Sequence, residues 1–201
     1  MSDTTFHWTE ITAPPAYGDP ATLALIAECL AGDETAFTLL YQAHASIVYR
    51  LAYSVLQHKE DAEEVLQDSF DYAFRRLRQY NPNKSAFKTW LYQITVSRCR
   101  NKRRRKWLPS LPLNMLGEHV TPKDTHPLPD EQLMLDDQQV TVWQALSQLS
   151  PKLRETAVLR YYDGLSYQEI GQILGIPAKT AESRMRLAHK ALKQLLSGLD
   201  F

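Results

Sequence analysis

The chain's 201 residues set 23 Lys and Arg against 23 Asp and Glu, with 44% hydrophobic and 10% aromatic residues. These are ordinary values for soluble protein and enough to build real cores. No stretch approaches the roughly 18 apolar residues of a membrane span, and only seven glycines lean the chain toward helix.

Neutrality hides a segregated charge map. Residues 31–74 hold eight acids and two bases, whereas 75–106 hold twelve Lys and Arg and no acid. Interleaved with the basic block are Tyr80, Phe87, Trp90, Tyr92 and Trp107. A one-signed block needs a partner of opposite sign, and rings add faces on which bases stack. Nucleic acid is therefore the first candidate partner, with single strands in view. The acids before the block suggest a second, different partner for the same domain.

Residues 1–18 lack a helical period, contain Pro14-Pro15 and carry neither Lys nor Arg nor an apolar run. They read as a mobile segment and not as a secretory signal, so the expected location is cytoplasmic. Asp19-Pro20 resembles an N-cap with proline at the first helical position, opening a short helix to about Ala31. Asp33 can cap the next. There Phe37, Leu40, Tyr41, His44, Val48, Leu51, Ala52 and Val55 recur at helical spacing. A third helix is predicted from about Glu60 to Gln79, with Ala62, Val65, Leu66, Phe70, Ala73, Phe74 and Leu77 inward. Glu60, Glu64, Gln67, Asp68 and Asp71 form its opposite stripe. Asn81-Pro82-Asn83-Lys84 breaks the pattern. A fourth helix, about Ala86 to Arg105, keeps Phe87, Trp90, Leu91, Ile94 and Cys99 near one face.

From Trp107 to about Asp130 five prolines forbid a continuous helix, which predicts an interdomain linker over 107–130. Helical period resumes near Leu133 and runs through Val140, Trp143, Leu146 and Leu149. Ser150-Pro151 starts another helix with Leu153, Ala157, Val158, Leu159 and Tyr161 as core, turned by Asp163-Gly164. Ser166-Tyr167-Gln168-Glu169 matches a capping box, and Gly175 supplies a left-handed stop. A last amphipathic helix follows Ile176-Pro177. Two turns of helix, a tight glycine turn and a basic helix make helix-turn-helix spacing, with the second helix set for a major groove. Lys179, Thr180, Glu182, Ser183 and Arg186 are the residues that reach base edges in such a placement. The expected fold is all-α: one helical domain over 19–106 and a second over 131–201.

These residues resemble the extracytoplasmic-function sigma factors, small two-domain promoter-specificity subunits of bacterial RNA polymerase. Asp61-Ala-Glu-Glu-Val-Leu-Gln-Asp-Ser-Phe70 resembles the family's core-binding helix. Phe87-Lys-Thr-Trp-Leu-Tyr-Gln-Ile94 resembles its promoter-melting motif. Leu159-Arg-Tyr-Tyr-Asp-Gly-Leu-Ser-Tyr-Gln-Glu-Ile170, with Leu174-Gly-Ile-Pro177 and Ser183-Arg184, resembles its −35-reading helix-turn-helix. The resemblance implies a sigma region 2 bundle and a sigma region 4 domain. Asp61, Glu64, Gln67 and Asp68 would dock on core polymerase. The loop from Tyr80 to Ser85, with Asn81 and Lys84, would capture a flipped −10 base. Phe87, Lys88, Ser97, Arg98, Arg100, Arg103 and Arg104 would complete the −10 contacts, the basic run holding phosphates without reading sequence. Trp90 suits either a base contact or a core position. Arg184 and Lys190 would join Lys179, Thr180, Glu182, Ser183 and Arg186 at the −35 element. The implied partners are core polymerase, promoter DNA and an anti-sigma factor, with no cofactor, metal or catalytic residue. Ser97 stands where the family often has Asn, Lys179-Thr180-Ala181 where it often has Gly-Thr-Val, and Glu182 where a base is frequent. Those departures bear on promoter sequence, not on class.

Two other classes compete. A free-standing helix-turn-helix regulator would have no need of the acidic face over 61–71. An enzyme such as a nuclease would need ligands, yet the six histidines form no metal-spaced pair. Acids on the third helix could take Mg²⁺, but a solvated docking face explains them more simply. Cys29 and Cys99 fit no metal or redox spacing. A disulfide and two buried thiols both fit them, and a reducing cytosol favours the thiols.

Overall fold

The computed structural model describes residues 18–107, 144–161 and 164–196, and among these the regular elements are all helical. The expected N-terminal segment, except its last residue, and the Pro-rich linker, except Trp107, lie outside the described residues, as do Leu133, Val140 and Trp143. Helix α1 spans Pro20–Ala31, α2 Glu34–Leu56, α3 Lys59–Arg75 and α4 Phe87–Trp107. Residues 144–148 form a helical turn. Then come α5 at Pro151–Tyr161, α6 at Tyr167–Leu174 and α7 at Ala178–Leu196.

The caps fall where short polar side chains stand ready to accept from orphan amides. Asp19 accepts from Thr22 N–H at 3.0 Å, and Asp33 from Thr35 N–H at 2.8 Å. Ser166 and Glu169 form the reciprocal box, and Gly175 ends α6 at φ 68°. The third helix stops at Arg75 instead of running to Gln79. A 3₁₀ turn, Leu77–Gln79, follows and buries Leu77. The cause lies just downstream: Pro82 disfavours helical backbone at Asn81, and Tyr80 is already extended at ψ 134°.

Helix α4 is the centre of the molecule, and its two apolar faces explain why. Phe87, Leu91 and Ile94 join Ile26, Leu40, Val48, Phe70, Ala73 and Leu77 in one cluster. Tyr92, Val96 and Cys99, with the same spacing but about 140° around the helix, join a second. That second cluster takes Leu51, Val55, Ala62 and Val65 from α2 and α3, and Val158, Leu159, Ile170, Ile173 and Leu174 from α5 and α6. Cys99 therefore belongs to this face and not to the Phe87 stripe. The two helical modules share a core, which their separation by a proline-rich stretch did not suggest. A third cluster closes the C-terminal module around Leu146, Leu149, Ala157, Met185, Ala188 and Leu192. Two expected core residues face outward: Tyr161 is 56% exposed near the end of α5, and Tyr41 lies over Phe70 at the surface. Cys29 and Cys99 are buried free thiols.

Candidate nucleic-acid interface and docking face

The polar stripe of α3 is presented as helical spacing requires. Glu64, Gln67 and Asp68 are exposed, with Gln67 and Asp68 about one turn beyond Glu64. Asp61 is different. It is 7% exposed, 3.7 Å from His58 Nδ1 and 3.6 Å from Lys102 Nζ, and its role in place is to tie the start of α3 to α4. Lys102 also donates to Glu64, whose hydrogen bond raises the lysine's pKa and keeps it charged. The acidic and basic stripes thus touch at Lys102.

The loop after α3 is held by its own polar atoms. Tyr80 hydroxyl donates to the Ser85 carbonyl at 3.0 Å, Asn83 N–H donates to Asn81 Oδ1 at 2.9 Å, and Lys84 N–H to the Asn81 carbonyl at 3.0 Å. Behind it three rings interlock. Tyr80 meets Phe87 edge-on with centroids 5.4 Å apart and Trp90 at 5.5 Å, while Phe87 and Trp90 are 5.8 Å apart. Phe87 is 2% exposed, so it supports the other two. Tyr80 and Trp90 are half-buried, each with part of its ring surface open. Burial raises the Tyr80 pKa, leaving its hydroxyl a donor at neutral pH. His44 packs on Phe87 at 5.3 Å, and burial, then the neighbouring Lys88, lowers its pKa and holds it neutral.

Farther along α4 the basic side chains divide. Lys88 lies over the Tyr92 ring at 5.4 Å. Ser97 and Arg104 are exposed. Arg98 stacks at 4.5 Å over Tyr72, which also has Arg76 at 5.4 Å. Sequence reasoning missed Tyr72; an aromatic residue on the polar side of α3 was the available signal. Arg100 and Arg103 instead turn to Glu155 of α5. Arg100 Nη2 lies 2.7 Å from Glu155 Oε2 and Arg103 Nη1 3.5 Å from Oε1. Glu155 was also missed, though a lone acid ahead of Ala157-Val158-Leu159 marks a carboxylate headed for the interior.

In the second module, Lys179, Glu182, Arg186 and Lys190 are exposed on α7, with Thr180, Ser183 and Arg184 half-buried. Ala181, Met185, Ala188 and Leu192 fix the helix from beneath, so its polar face is free to enter a groove. Lys179, Arg184, Arg186 and Lys190 make no ion pair among the described residues. No group of three or more His, Cys, Asp or Glu close enough to hold a metal occurs among them either.

Comparison with known proteins matches this division. Residues 40–108 fit the Sigma-70 region 2 model and residues 139–192 the Sigma-70 region 4 model. The ECF RNA polymerase sigma factor SigW of Bacillus subtilis is 30% identical over 177 residues, covering 84% of this chain and 92% of SigW. The RNA polymerase sigma-H factor of Pseudomonas aeruginosa is 30% identical over 176 residues, covering 84% and 90%. Among solved structures, CnrH in complex with the cytosolic domain of CnrY shares the fold with TM-score 0.64 and 23% identity, over 90% of this chain and 99% of that one. The sigma factor RpoE in complex with the anti-sigma factor NepR from Bartonella quintana gives 0.60 and 24%, over 82% and 98%. With both conserved regions in order and full-length relatives at this identity, the chain belongs to the extracytoplasmic-function sigma factors of the sigma-70 family and is an RNA polymerase sigma factor.

Proposed function

We propose that this protein brings bacterial core RNA polymerase to its promoters through three separate surfaces. Glu64, Gln67 and Asp68 on α3 dock on core. Tyr80, Asn81, Lys84, Ser85 and Trp90 receive an unstacked base of the −10 element, with Lys88, Ser97, Arg98 and Arg104 along the strand. Unstacking costs a few kcal/mol, which ring stacking and phosphate contacts offset. Lys179, Thr180, Glu182, Ser183, Arg184, Arg186 and Lys190 on α7 read the −35 duplex. The chemistry of transcription is the polymerase's, and this chain contributes binding and no catalytic group.

The observation that supports this most is the adjacency of opposite surfaces on one module. An exposed acidic face on α3 lies beside an aromatic loop and a basic helix, and a separate module presents a groove-sized helix. No described helix is long and apolar enough to cross a membrane, which fits work in the cytoplasm. Solved relatives bound to CnrY and to NepR support an anti-sigma partner for this chain as well. Run-off transcription with core polymerase on a library of genomic fragments tests the reading. Defined start sites that require this protein are expected; no transcript from any template would refute it.

A further inference from the structure

We propose that Glu155 is an internal stand-in for DNA phosphate, which closes the C-terminal module over α4 and withholds Arg100 and Arg103 until the modules part. This rests on the reading of α4 as the strand-holding helix.

The contact has the form of a built site. Glu155 is 1% exposed. Arg100 donates through Nε to Oε1 and Oε2 at 3.4 and 3.2 Å and through Nη2 to Oε2 at 2.7 Å, and Arg103 adds a second cation at 3.5 Å. The remaining nitrogen of Arg100, Nη1, donates to the Leu174 carbonyl at the end of α6, at 3.2 Å. Both modules therefore meet on one guanidinium. A carboxylate this deep is tolerable only when paired, and the two arginines that hydrogen-bond it come from the other module. Its charge is felt next door: burial first, and Glu155 second, push the Cys99 thiol far up.

Two further ties cross the same boundary. Arg154, beside Glu155, donates through Nη1 to the Val55 carbonyl at 3.3 Å, while its other nitrogens take carbonyls of Leu146, Ser147 and Leu149. Burial lowers its pKa to about 10, still charged at neutral pH. Gln93 Nε2 donates to the Gln172 carbonyl at 3.1 Å. Carboxylate and phosphate offer the guanidinium fork the same paired oxygens. A strand lying along α4 and Glu155 therefore compete for the same two arginines, and the closed arrangement opposes DNA binding by the free chain. Docking on core, which uses a different face, leaves the modules able to separate.

The test uses the full chain. Glu155→Gln keeps the shape and removes the charge. It should enlarge the radius of gyration in small-angle scattering and tighten binding of a fluorescent single-stranded oligonucleotide about tenfold, the factor expected if closed outnumbers open by roughly ten to one. A folded variant with wild-type dimensions and wild-type oligonucleotide affinity would overturn the proposal. If Glu155→Gln does not fold, Arg100→Gln with Arg103→Gln should still expand the chain, and unchanged dimensions would overturn it equally. As an independent arm, Gln93→Cys and Gln172→Cys joined by a thiol-cleavable linker should abolish transcription with core and regain it on cleavage. Initiation by the linked protein would contradict the latch. Absence of transcription from wild type would instead count against the sigma reading itself.

Discussion

The two basic helices, α4 and α7, carry similar side chains and are used in opposite ways. Helix α7 has one apolar stripe, so its cations face water. Helix α4 is buried on two faces, and its cations emerge along narrow seams where other elements reach them. Lys102 goes to Asp61 and Glu64, Arg100 and Arg103 to Glu155, and Arg98 to Tyr72. A run of like charge in a sequence therefore states supply, not availability. Exposed phosphate contacts follow from the number of buried faces as much as from the number of arginines.

This contrast is sharpest on α7. Lys179→Glu with Arg186→Glu should weaken −35 duplex binding roughly a hundredfold while circular dichroism stays unchanged, because both side chains are exposed. Wild-type affinity in a gel-shift titration would break the assignment. Next in size is the docking face. Gln67→Lys with Asp68→Lys should lower core affinity about tenfold, the scale of charge reversal at an exposed interface. Asp61 is a poor choice for that experiment, since its loss would unpin α3 from α4.

Smaller effects separate engaged from available cations on α4. Neutralising exposed Arg104 should reduce the slope of log affinity against log salt by about one for DNA bound by holoenzyme. In the free chain, neutralising Arg100 should cost less oligonucleotide affinity than neutralising Arg104, since the lost phosphate contact is offset by release of the contact with Glu155. Equal losses of affinity for the two would erase the distinction. The smallest effect concerns His44. Its pKa is lowered from 6.5 by burial, so the unfolded chain binds the proton more readily. The stability it contributes is complete above about 6.5 and is lost as pH falls through the folded value. His44→Leu should make the acid side of the stability curve shallower; an unaltered slope would place the imidazole in solvent.

Much of this was legible in the chain because local chemistry decided it. Asp19, Asp33, Ser166 and Gly175 sit where backbone amides and carbonyls need them, whatever surrounds the helix. The inner stripe of α3 and the exposed positions of Glu64, Gln67 and Asp68 follow from helical spacing alone. What sequence could not reveal depended on distant packing. Cys99 was placed on the Phe87 stripe because a single apolar face was assumed, whereas a second is formed where α5 and α6 close over α2, α3 and α4. Asp61 reads like its neighbours on the acidic stripe until Lys102 arrives from 41 positions away. Tyr41 and Tyr161 fit the apolar period, yet they lie at edges where no opposing element covers them. Glu155 is the clearest case: its partners are about 52 and 55 positions upstream, across residues that read as a divider between independent domains.

The proposed function has α4, with its preceding loop, and α7 act on different parts of one promoter. Footprinting of holoenzyme at a mapped start site, combined with permanganate probing of unpaired thymines, tests it directly. Lys179→Glu with Arg186→Glu should lose upstream duplex protection, whereas Tyr80→Ala with Lys84→Ala should keep that protection and lose thymine reactivity. Loss of the same signal by both pairs, or of neither, would contradict it.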